Sequence, residues 1–190
     1  TWSLLGAELN EPLINEKTFA ENFTNEGGVG HTIRFLKNIS GLWILQETRR
    51  QWVREGENIS FKDIDRMLLT EKSADVYIDP DYEPFGKPGR MVEKINEFLS
   101  GTSQPLPATK GQTALCILES LAMTYRYYTE NLEKLLGRRI DVIHLIGGGV
   151  KDVNLCRFTA SVTGRKVTAG PVEATAMGNI AVQLIALGVV

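Results

Sequence analysis

An α/β fold, with a mixed sheet of three antiparallel then two parallel strands flanked by helices, is predicted by three observations. Residues 1–37 hold short β-rich runs broken by a glycine turn, residues 109–137 repeat apolar side chains at helical spacing, and residues 141–187 alternate strand, glycines, helix, strand, helix.

Taken in order, "TWSLLGAEL", "TFAENF" and "HTIRFL" read as strands, the last two joined by "NEGG", which predicts an antiparallel meander. Ser40 is placed to cap a helix from Gly41 to Trp52, with Leu42, Leu45 and Trp52 on one face. Ser60 and Asp63 form a capping pair for a second helix whose Ile64, Met67 and Leu68 face inward. Residues 70–89, rich in proline and glycine, are a loop, and a short helix follows to about Leu99. Thr109 and Gln112 open the longest helix, with Ala114, Leu118, Leu121, Tyr125, Tyr128, Leu132 and Leu135 as its inner face and Gly137 as its stop. "DVIHLI" is then a strand, 151–163 a helix ended by Gly164, "KVTA" a strand parallel to the first, and 173–187 a helix ended by Gly188. This order matches the ribonuclease-H-like lobe of actin-like ATPases, a likeness of fold alone.

Composition narrows the classes. At 190 residues, 43% hydrophobic and 23% charged, the chain can bury one substantial core and is expected to form one domain, residues 1–190. The net charge of -2, without a basic stripe, argues against a nucleic-acid partner. No apolar run approaches the roughly 18 residues of a membrane span and no signal segment opens the chain, so a cytoplasmic protein is expected. The sequence opens on Thr1 already in a strand pattern, which suggests a piece of something longer. Cys116 and Cys156 sit in apolar helical patterns with no second ligand nearby and are expected to be plain thiols.

The glycines 147–149, between a strand and a helix, carry the chemical signal. Such a run lets a ligand approach the backbone, and the following helix N-terminus suits phosphate. A tight turn without a ligand is the competing explanation. A dinucleotide fingerprint fails because Asp152 stands where its third glycine belongs, and a P-loop fails because Gly86-Lys87 is followed by proline.

"LIGGGVKDVNLCRFTASVTGRKVTAGPVEATAMGNIAVQ" and "NFTNEGGVGHTIRFLKNISGLWILQETRRQW" resemble the carboxyl-terminal signatures of the FGGY carbohydrate kinases. The resemblance spans nearly the whole chain, with residues 55–108 adding little. It implies that residues 1–190 are the carboxyl-terminal nucleotide-binding lobe of a two-lobed kinase, with the amino-terminal lobe as its missing partner. It also implies ATP with Mg²⁺, and a sugar acceptor of which L-rhamnulose is the nearest match. L-fuculose or another ketose, or an actin-like module that binds nucleotide without phosphorylating sugar, are the alternatives. By resemblance Thr1 touches ATP phosphates, Gln46 faces the nucleotide, Gly148 and Gly149 lie against it, Asn154 reaches the adenine, and Asn38 contacts the sugar. The catalytic base belongs to the absent lobe, so no catalytic residue and no metal ligand is assigned in this chain.

Other features read as structural. The acids at 79, 81 and 83 begin like a calcium loop, but Pro84 and Arg90 occupy its required glycine and glutamate positions. His31 and His144 have no nucleophile near them in sequence, and Trp43 and Trp52 are expected in the core rather than as a sugar platform. Glu26 and Glu173 are open to two readings, support for the site residues from behind or simply a turn acid and a first-turn helix acid.

Overall fold

The structure is a computed structural model in which residues 2–189 are described. In chain order it contains β1 (Ser3–Leu9), α1 (Glu16–Ala20), β2 (Thr24–Gly27), β3 (Ile33–Ile39), α2 (Trp43–Arg54), α3 (Phe61–Thr70) and α4 (Met91–Gly101). There follow α5 (Lys110–Leu136), β4 (Val142–Leu145), α6 (Val153–Thr163), β5 (Lys166–Ala169) and α7 (Ala174–Ala186). The chain divides into two compact units: one with Ile39–Tyr125 and the residues up to Ser3, the other with Leu4–Asn38 and the chain from Arg126 onward.

The first unit is helical and closes its own core. Ile44 and Leu45 of α2, Ile64 of α3, Ile95 and Leu99 of α4, and Leu118 and Leu121 of α5 are all essentially inaccessible. Phe85, from the proline-rich loop, joins them and packs against the rings of Tyr82 and Phe98 at 5.4 and 5.8 Å. Polar contacts fix α4 to α2: Glu47 accepts the Gly89 N–H at 3.1 Å, and Gln51 accepts the Val92 N–H at 3.0 Å. Burial raises the Glu47 carboxyl, but Arg50, the Gly89 N–H and Arg54 together hold it below the usual carboxylate range.

The capping pair Ser60–Asp63 forms reciprocally, as expected. Ser40 does not cap α2. Its hydroxyl donates to the Pro80 carbonyl at 2.7 Å and its N–H to Asp81 at 2.9 Å, so the helix begins at Trp43. Asp81 thereby holds a turn. Trp43 is half-buried and donates its indole N–H to Phe85 O, while Trp52 is buried.

The second unit carries the strands. β3 lies between β1 and β2 in a three-stranded antiparallel sheet, with Thr24 opposite Leu36 and Gly27 opposite Ile33. Phe23 and Phe35 stack at 4.8 Å and pack with Leu132 of α5 and Leu5, Leu9 and Ile140. β1 and β3 approach so closely at Gly6 that a Cβ there would fall 2.1 Å from the Phe35 carbonyl oxygen.

Two expectations shift here. The first half of "TFAENF", Thr18–Ala20, lies in α1, because Asn15 and Thr18 form a reciprocal capping box that starts a helical turn. The strand moves on to Thr24–Gly27, inside what reads as the turn. His31 consequently sits not in a strand but in the β2–β3 connection, at φ +64°.

β4 and β5 pair in parallel, His144 opposite Thr168. The expected three antiparallel and two parallel strands are present, but as two hydrogen-bonded sheets, because no described strand bonds to both β1 and β4. An ion pair braces β4 and β5: Arg165 donates to both oxygens of Glu133 (3.1 and 2.6 Å) and to the carbonyls of Ile140 and Thr163. Burial raises the Glu133 carboxyl, yet Arg165 and the Ile140 N–H outweigh it and leave it below its ordinary value. α5 stops at Gly137, φ +65°, and α6 at Gly164, φ +63°, as the sequence predicts.

Candidate nucleotide-binding site

The three glycines have different reasons to be glycine. Gly147, at φ +81° and ψ -166°, occupies a backbone region closed to side chains. Its N–H donates to the Pro171 carbonyl at 2.9 Å, tying the end of β4 to the segment after β5. Gly170 completes that brace: its N–H donates to Leu145 O at 2.7 Å, and a Cβ on it would meet Ile146 Cγ2 at 2.8 Å. The fold therefore accounts for Gly147 and Gly170.

It does not account for Gly148 and Gly149. Both are exposed, neither has positive φ, and a Cβ built on either meets nothing within 4 Å. They open the 3-10 turn Gly148–Lys151, whose bonds Val150 N–H to Gly147 O and Asp152 N–H to Gly149 O make a firm ledge. A planar or bulky ligand can lie on such a ledge where side chains would hold it off.

The start of α6 is not an open anion site. Asp152 is its N-cap and accepts the Leu155 N–H at 2.8 Å, placing a carboxylate where phosphate was expected. Another phosphate would meet like charge there. The ledge suits the uncharged nucleoside end of a nucleotide, and Asn154, half-buried on the first turn of α6, stands beside it in sequence with an amide that can both donate and accept.

The structure thus places Gly148, Gly149 and Asn154 together on one loop and helix start. Asn38 is exposed near the end of β3 in the same unit. Its neighbour Lys37 is fixed by a 2.6 Å bond to the Glu21 carbonyl and by the Tyr128 ring 4.5 Å away. Gln46 lies half-buried in the first turn of α2 and belongs to the other unit. Thr1 falls outside the described residues.

Sequence reading missed Asp152 as a cap, although an Asp just before an apolar helical run is the signal for one. It also missed the Gly170-Pro171 brace and the 2.9 Å hydrogen bond between His144 Nδ1 and Thr168 Oγ1, which only the parallel register brings together.

The first unit has a cleft of about 310 Å³ lined by Gln51, Arg54, Glu55, Gly89, Arg90 and Glu93. Its Gln51 amide donates to Glu55 and Glu93, both at 2.8 Å, and Arg54 lies 3.8 Å from Glu47, so these groups satisfy one another. None of the predicted site residues lines it. No group of three or more His, Cys, Asp or Glu among the described residues could hold a metal ion. Burial pushes the Cys116 thiol up to about 12, and Cys156 is half-buried on α6.

The sequence profile of the FGGY family of carbohydrate kinases, C-terminal domain, matches residues 1–187. Rhamnulokinase from Bacteroides thetaiotaomicron is 44% identical over 192 residues, covering 99% of this chain and 38% of that protein. Rhamnulokinases from Bacillus subtilis and Enterococcus faecalis are 37% and 38% identical, covering 98% and 99% of this chain and again 38% of each relative. The chain therefore spans about two-fifths of the length of these relatives.

Proposed function

The chain belongs to the FGGY family of carbohydrate kinases, and from that premise we propose that residues 1–190 are the carboxyl-terminal lobe of a kinase that passes a phosphoryl group from ATP to L-rhamnulose, giving L-rhamnulose 1-phosphate. The observation that carries the proposal is the ledge at Gly148 and Gly149, which the fold leaves bare and does not itself require. The choice of sugar rests on the names of the relatives, all of which cover nearly the whole of this chain.

In this account Gly148 and Gly149 seat the nucleoside and Asn154 hydrogen-bonds the base. The Asp152 carboxylate turns the phosphates away from the start of α6 and toward the acceptor. Gln46 and Thr1 add polar contacts to the nucleotide, and Asn38 offers its amide to the sugar hydroxyls. Transfer itself needs Mg²⁺ on the phosphates and a base for the acceptor hydroxyl. The family resemblance places the base in the amino-terminal lobe, and no residue of this chain is assigned to the metal. The lobe alone is then inactive, and the complete enzyme works where ATP is abundant, in the cytoplasm.

The test is ADP release by the full-length protein offered L-rhamnulose, L-fuculose, D-xylulose or glycerol, with Gly149→Asp as the control. Release dependent on L-rhamnulose and abolished by the substitution supports the proposal. Preference for another sugar replaces the substrate, and no sugar-dependent release from a protein that still binds ADP removes the kinase and leaves a nucleotide-binding module.

A further inference from the structure

The last residues of β3 treat its two faces differently. Side chains alternate along a strand, so Lys37 and Asn38 leave it on opposite sides. Asn38 is exposed, whereas Lys37 is half-buried and held by two partners. Its ammonium donates to the Glu21 carbonyl at 2.6 Å and lies 4.5 Å from the centre of the Tyr128 ring.

Both partners belong to fixed elements. Glu21 is the C-cap of α1, and its side chain accepts from the Asn131 amide of α5 at 3.2 Å. Asn131 is buried and in turn accepts from Lys134 at 3.2 Å. Tyr128 stands one turn before Leu132, the α5 residue that packs with Phe35. Phe35 and Lys37, two apart on β3, therefore share the face that lies on α5, and Lys37 joins α1, β3 and α5 at one point.

The clamp falls where the ladder to β2 runs out. Thr24 opposite Leu36 is the last pair, so residues 37–39 extend past β2. An apolar side chain would fill the α5 face with less loss of rotamer freedom than a lysine. What the lysine adds is a directed bond to a fixed carbonyl, which sets the position of the strand end.

We propose that Lys37 is a positioning residue for the acceptor sugar: anchored to α1 and α5 from the opposite face of β3, it sets the place of the Asn38 amide. The inference rests on the reading of Asn38 as the sugar contact. Lys37 itself touches no substrate, because its ammonium is turned to Glu21 and Tyr128. An amide must meet a hydroxyl within hydrogen-bond range, and a misplacement of about 1 Å can cost up to about a hundredfold in rate.

The test is steady-state kinetics of the full-length protein and of its Lys37→Met, Lys37→Arg, Asn38→Ala and Lys37→Met/Asn38→Ala variants, with the sugar that the unaltered protein phosphorylates. Lys37→Met should lower kcat/KM for the sugar about tenfold while KM for ATP changes by less than about twofold. Lys37→Arg keeps the charge, the donors and the ring contact and should recover most of that loss. In the Asn38→Ala background Lys37→Met should cost less than about twofold more, because a residue that acts through Asn38 then has nothing to place. A full, independent loss in that background would overturn the inference and make Lys37 a general brace, and so would an equal rise in KM for ATP. The unaltered protein and Asn38→Ala read the proposed function: no sugar-dependent release, or a silent Asn38→Ala, removes that reading and this inference with it. A weakened Asn38→Ala beside an unaffected Lys37→Met removes this inference alone.

Discussion

The unit holding Ile39–Tyr125 and the segment from Val142 to Val189 put their apolar side chains to opposite effect. The first folds its large side chains inward, with Phe85, Met91, Ile95 and Leu99 at 1% exposure or less. In the second only Leu155, Thr159 and Thr163, one stripe of α6, are buried. A self-sufficient body is therefore joined to a stretch whose apolar surface and bare glycines are shaped for things outside it. The glycines leave open space above the backbone, and α7 leaves its apolar side chains exposed.

Substitutions in the full-length protein can break that contrast. Phe85→Ala removes a ring in contact with two others and should cost about 4 kcal/mol in urea unfolding. A cost under about 1 kcal/mol would mean that the first unit lacks a tight core of its own.

Glu133→Ala strands the Arg165 guanidinium, whose side chain is only 9% exposed, and should cost roughly 3 kcal/mol. If so, β4 and β5 are held by the brace more than by burial. Arg165→Ala added to Glu133→Ala should cost little more, which a double-mutant cycle would read as strong coupling.

Protonation repeats that loss. Glu47 and Glu133 both titrate below their ordinary value when folded, so their contribution is complete above the unfolded-state value and is lost as pH falls through the folded ones. Urea midpoints should hold steady from neutral pH down to about pH 5 and then decline. In Glu133→Gln the decline should be shallower.

Smaller still, Asp152→Ala should cost about 1 kcal/mol as a lost helix cap. Gly148→Ala should change stability by less than about 0.5 kcal/mol, because its Cβ enters open space. A large loss from Gly148→Ala would mean that the ledge is structural and not held open for a ligand.

Much of the fold was legible because its signals are local. The Ser60–Asp63 box, the α5 periodicity and the glycine stops at 137, 164 and 188 each depend on a few neighbouring residues, and each appears where expected. Where a tertiary partner competes, sequence misleads. Ser40 has the chemistry of a cap but spends its hydroxyl on Pro80, and the β-rich "TFAENF" yields to the Asn15 capping box. At the site, Gly148, Gly149 and Asn154 are neighbours in sequence, whereas the place of the Asp152 carboxylate follows only from seeing the cap formed. The pairing of Gly147 with Pro171 joins the segments that follow two successive strands and leaves no local mark.

Most directly, the central claim is tested by the ADP affinity of the full-length protein and its Gly149→Leu variant, each with its melting temperature. Open space around Gly149 predicts an unchanged melting temperature with affinity weakened at least about tenfold, as a side chain lifts the nucleotide off the ledge. Equal affinity in a variant that melts with the parent would contradict it and place the nucleotide elsewhere.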